Sequence, residues 1–147
     1  MKILKAGIFV LLISSSACAG RIPQDIGVKD MKLKPCPSSP NCVSTQAQDE
    51  THKIEPYKYT GSLDSAREKI VAIVNSLPRT KIVESKPDYL RVEFKSFLFR
   101  FVDDVEFYFD DKAKVVHFRS ASRVGYGDMG VNRKRMEGIR EKFQAEK

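Results

Sequence analysis

Leu90-Arg91-Val92-Glu93-Phe94-Lys95 alternates apolar and charged side chains at every step, and a period of two marks a β-strand with one face packed and the other wet. The pattern returns further along. Val105, Phe107 and Phe109 alternate with Glu106 and Tyr108, Asp110-Asp111-Lys112 turns the chain, and Val116 and Phe118 come back opposite Val115 and His117. Short polar turns between such runs join antiparallel neighbours. A meander is therefore predicted, with Thr80 to Glu84 as a further short strand ahead of the Pro87-Asp88 turn. Phe94, Phe107, Phe109 and Phe118 are expected in the core. Phe97, Phe99 and Phe101 carry the aromatic load through a bend, and Phe97-Leu98-Phe99 is also expected to pack, the alternative being an exposed patch that touches a membrane or a partner.

Two helices flank this meander. Ser62 is an N-cap type, Asp64 suits the positive end of a helix dipole, and Leu63, Ala66, Ile70, Ile73 and Leu77 recur at helical spacing until Pro78 stops the run. Before it, Ile54, Tyr57 and Tyr59 suggest a short strand that Pro56 confines to a sheet edge. Met136, Ile139 and Phe143 make an apolar stripe on a C-terminal helix rich in Lys, Arg and Glu. The predicted class is α+β: an antiparallel sheet of four to five strands with two helices packed on one face. Residues 53–147 would form that single domain.

The amino-terminal part reads differently. Lys2 and Lys5, the apolar run 8–13 and the small residues Ser14-Ser15-Ser16-Ala17 lead to Cys18, a pattern that resembles a bacterial lipoprotein signal. Residues 1–17 are read as a signal peptide and Cys18 as the lipidation site, giving a membrane anchor that faces the periplasm from the outer membrane. Ala17-Cys18-Ala19 also fits ordinary signal peptidase, which would release a soluble periplasmic protein. Residues 18–52 then read as a tether and an irregular segment rich in Pro, Ser, Asn and Gln. Within it, Cys36 and Cys42 form an even pair in an exported chain and are read as a disulfide. His52 and His117 lack metal-ligand spacing, and no cofactor is expected.

Charge narrows the class of partner. The formal charge of +7 falls by two, to +5, when Lys2 and Lys5 go with the leader, and a basic exported domain favours phospholipid head groups, lipopolysaccharide phosphates or acidic glycans. Nucleic acid satisfies the same electrostatics in the wrong compartment. The stretch 119–135 leaves a strand, passes three glycines and enters a helix. Arg119, Ser120, Ser122, Arg123, Asp128, Asn132, Arg133 and Arg135 are the anion-binding candidates, because guanidinium forks and backbone N–H groups converging on a helix start suit phosphate or carboxylate. The alternative is structural: Asp128 and Asn132 cap the helix while Arg119 or Arg123 pairs with Asp103, Asp104 or Glu106 across the sheet.

Cys36-Pro37-Ser38-Ser39-Pro40-Asn41-Cys42-Val43-Ser44, Asp103-Asp104-Val105-Glu106-Phe107 and Arg119-Ser120-Ala121-Ser122-Arg123, with Gly125, Asp128, Gly130, Asn132, Arg133 and Arg135, resemble the family called domain of unknown function 1499. The resemblance runs from Pro35 to about Phe143 and implies no activity. Catalysis finds little support in the residues themselves. A Ser120 or Ser122, His117 and Asp128 set fails because His117 and Ser120 leave a strand on opposite faces, and Asp104 with Glu106 is better employed balancing arginines. The chain is read as a non-enzymatic envelope binding module, the alternatives being an assembly lipoprotein that contacts an envelope protein and an enzyme on lipid or glycan.

Overall fold

The computed structural model describes residues 20–24 and 26–145. The leader and Cys18 lie outside the described residues. The alternating runs form β6 (Tyr89–Lys95), β7 (Val102–Asp110) and β8 (Val115–Ser122), and the short run before them forms β5 (Thr80–Ser85). All pair antiparallel with their neighbours in sequence, Val92 opposite Val105 and Phe107 opposite Phe118. On the outer side of β8 two further short strands lie end to end: β3 (Cys42–Ser44) pairs with its last residues and β4 (Tyr57–Lys58) with its first. The sheet thus has six strands, where four to five are expected from the sequence. The extra strand, β3, falls in the segment read as irregular. Three residues are too few to show an alternation, and their extended path is set from outside, by the β8 edge and by the Cys36–Cys42 disulfide that closes on the first of them.

Helix α1 (Leu63–Ser76) begins where its cap predicts: the Ser62 hydroxyl accepts from the Ser65 N–H at 3.1 Å, and the helix stops two residues before Pro78, with Leu77 as its C-cap. It lies with α2 (Val131–Ala145) on one face of the sheet. Ile70, Ile73 and Val74 of α1 and Met136, Ile139 and Phe143 of α2 close over Val92, Phe107, Phe109 and Phe118. Each such side chain, removed from water, contributes about 2 kcal/mol. Tyr57 ties the layers together: its ring stands 4.5 Å from Phe118 and its hydroxyl donates to the Met136 carbonyl at 2.6 Å.

The opposite face departs from the predicted wet surface. β1 (Val28–Lys29) and β2 (Lys32–Leu33) form a small hairpin laid across it, where Leu33 and Val28 pack on Tyr89 and Tyr108. Strand β7 is therefore buried on both sides for most of its length. The aromatic bend departs as well. Phe97, Leu98 and Phe99 lie in the β6–β7 hairpin and stay exposed, beyond Phe94, the last residue of β6 in the core cluster. Among the described residues no helix is long and apolar enough to cross a membrane.

Candidate functional site

Side chains alternate along β8, so the sheet divides the predicted anion-binding residues into two groups. Ser120 and Ser122 share the helix-covered face with Val116 and Phe118, whereas Arg119 and Arg123 emerge on the opposite face, which is covered by the amino-terminal strap, the segment 26–34 that carries β1 and β2. On the helix side Asn132 is the hub and is fully buried. Its Oδ1 accepts from the Ser120 hydroxyl at 2.5 Å and from Arg135 at 2.7 Å. Its amide protons are shared among the Asn41 carbonyl, the Ser122 hydroxyl and Asp128. Asp128 also accepts from the backbone N–H groups of Gly130 and Asn132, which makes it the cap of α2. Arg135 donates onward to Asp103 at 2.5 Å and lies over the Phe94 ring. Arg133 is set apart, donating to the Thr51 carbonyl. Asn41, at the end of the disulfide loop, closes the circuit by donating to the Gly125 carbonyl at 2.6 Å and accepting from the Ser122 N–H.

On the strap side the carboxylates meet their guanidinium partners. Arg123 grips Asp104 with two hydrogen bonds, at 2.7 and 2.8 Å, and also reaches Glu93. Arg91 adds a third donor to Asp104 at 3.2 Å. Glu106 receives Arg119 at 3.4 Å, the Tyr89 hydroxyl at 2.9 Å and, from the strap, the Gly27 N–H at 2.8 Å. Burial pushes the Glu106 carboxyl up, against the pull of those three donors, and pulls the Arg119 guanidinium down. The hydrogen bonds from Arg123 to Asp104 hold that guanidinium firmly in its charged form. Among the described residues the Nε atoms of Arg91 and Arg119 are buried with no hydrogen-bond acceptor.

The guanidinium groups of Arg119, Arg123 and Arg135 are thus occupied by carboxylates, and the stretch 119–135 offers no shared cradle for an anion. His117 shares the strap face with Arg119, its Nδ1 3.0 Å from the Thr45 hydroxyl and its pKa lowered by burial. It does not meet Ser120 or Ser122. Cys36 and Cys42 are joined, with their Cα atoms 5.7 Å apart.

Cations free of carboxylates lie next door. A groove of about 390 Å³ opens between Pro78, the end of β6 and α2. Leu77, Phe94, Val131 and Ile139 form its apolar floor, and Arg79, Lys95, Lys134 and Lys142 stand around it. Among the described residues none of these four cations forms a salt bridge, and Asp103, the one acid in the lining, is held by Arg135. Sequence reasoning passed over Lys134 and Lys142 as ordinary surface of a charged helix. Their spacing of eight residues, two turns on one face, was the available signal.

An antiparallel sheet with both helices on one face, a stapled edge strand and an Asn-centred polar junction at the start of α2 defines the class of domain. Residues 32–143 match the model of the DUF1499 family, described as proteins of unknown function, and the chain belongs to that family. No curated protein is detectably similar to the chain.

Proposed function

We propose that the protein is a non-enzymatic binding module of the bacterial envelope, anchored through Cys18, that takes an anionic lipid in the groove between Pro78 and α2. The observation that carries this reading is the combination of an apolar floor with four cations that form no salt bridge among the described residues. A phosphate-bearing amphiphile fits both parts: its head group meets Arg79, Lys95, Lys134 and Lys142 while its chain covers Leu77, Pro78 and Val131. An acidic glycan would leave that floor wet. The disulfide agrees with an oxidising compartment, and the lipoprotein-type leader with an outer-membrane address, soluble periplasmic release being the alternative.

The test is calorimetric titration of the full chain with dihexanoyl-phosphatidylglycerol below its micelle concentration, with the phosphatidylcholine analogue as control. Binding of the anionic lipid alone is expected, with a loss of roughly tenfold or more in the Lys134→Glu, Lys142→Glu double variant. Equal affinity for both lipids, or no heat from either, overturns the reading.

A further inference from the structure

The two ends of the sheet differ in what they show to solvent. At one end the β7–β8 turn is polar, with Lys114 paired to Asp111 at 2.6 Å. At the other, the β6–β7 hairpin exposes Phe97 (79 %), Leu98 (73 %) and Phe99 (61 %), and the loop from β8 to α2 exposes Tyr126 (76 %) and Met129 (101 %). These two loops belong to the same end, because Asp103 pairs with Ser122 and the Arg123 N–H donates to the Val102 carbonyl at 3.1 Å.

The hairpin is held in its displayed form. The Ser96 N–H donates to the Phe101 carbonyl at 2.8 Å, and the Phe101 N–H returns to the Ser96 hydroxyl at 2.9 Å. Phe99 and Phe101 stack at 5.5 Å, and Arg79 lies over the Phe97 ring. Lys81, Lys95 and Arg100 flank the same tip. Monomeric domains seldom expose rings together without a surface to meet.

The described chain starts at this end as well. Gly20 runs so close to the end of β8 that a β-carbon there would come within 2.8 Å of the Arg123 Cβ, and its φ of +68° favours glycine. Cys18 is two residues earlier, a reach of roughly 7 Å. Gly20, the aromatic tip and the flanking cations are gathered at one pole.

We propose that this pole docks on the anchoring membrane, with Phe97, Leu98 and Phe99 inserted at the boundary between head groups and acyl chains and with Lys81, Lys95 and Arg100 against lipid phosphates. Aromatic rings favour that boundary, and basic side chains beside them gain from anionic lipid. A narrow tip ringed by cations suits a deformable anionic surface better than the broad, well-packed patch that a protein partner needs. With an anchor at Cys18, the hairpin adds a second point of contact, which fixes orientation: the sheet stands on this end and the groove between Pro78 and α2 opens beside the head groups. The inference rests on the proposed function for its envelope address, but not on occupancy of the groove.

The experiment uses the full chain carrying Cys18→Ser, so that no acyl anchor delivers it, with an environment-sensitive fluorophore on Leu98→Cys or, as control, on Lys112→Cys in the opposite turn. Vesicles of equal parts phosphatidylglycerol and phosphatidylcholine are expected to shift the label at 98 to the blue and leave the label at 112 unchanged. Pure phosphatidylcholine should give little response, and neutralising Lys81, Lys95 and Arg100 to Gln should weaken partition on the order of a hundredfold. An aqueous label at 98 on anionic vesicles overturns the proposal and leaves the tip to a protein partner. Equal shifts at both positions, or equal shifts on neutral vesicles, overturn it too. Binding of the soluble short-chain lipid with no shift at position 98 removes the docking pole and spares the groove, and the converse result spares the pole.

Discussion

The two faces of this one sheet are buried alike and built from opposite chemistry. Under the helices, Val92, Val105, Phe107 and Phe118 exclude water with hydrocarbon alone; under the strap, Asp104, Glu106 and Arg119 are equally hidden and ionic. The first face stabilises in proportion to area. The second roughly cancels its own desolvation, so its contribution is positional: Glu106 receives the Gly27 N–H and so fixes the seating of the strap, while Asp104 fixes Arg123 at the end of β8. Equal burial therefore does not mean equal stabilisation.

Substitutions sharpen that contrast. The largest loss is expected for Phe118→Ala, about 4 kcal/mol by urea unfolding, since the ring touches Tyr57 and no side chain can refill the space. Arg119→Met comes next, at about 3 kcal/mol, because Glu106 is left charged and buried. Adding Glu106→Gln should return stability to within about 1 kcal/mol of the parent, since Gln still accepts from Gly27 and Tyr89. A double variant as unstable as the single would refute the positional account. Replacing Cys36 and Cys42 by Ser should cost about 2 kcal/mol, the entropy of so short a loop. The smallest effect belongs to His117. Burial lowers its pKa in the fold, so the unfolded chain binds the proton more readily, and this contribution is intact above about pH 6.5 and declines as pH falls through that value. Melting curves at pH 7.5 and 5.5 should show a smaller drop for His117→Gln than for the parent.

Much of the helical face could be read in advance. Ser62 and Pro78 bound α1, and the alternation around Val92, Phe107 and Phe118 placed three strands and their inward side, because a period of two is a local property. What covers the other side is not local. The donor to Glu106 is Gly27, separated by 79 residues, and no pattern around Glu106 announces it. For the same reason Arg119 and Arg123 looked available: their pairing with Glu106 and Asp104 was one of two readings until register decided it. Asn132 as a hub was illegible, since its partners Asn41, Ser120 and Ser122 converge only in the folded chain. Phe97 to Phe99 misled because composition cannot tell a strand end that lies over a helix from one that overshoots it.

The strap also sets an order of events. Gly27 finds its acceptor on β7, and β7 is held on both sides by β6 and β8. Residues 26–33 therefore take their final contacts only once the meander has closed, although they precede it in the chain.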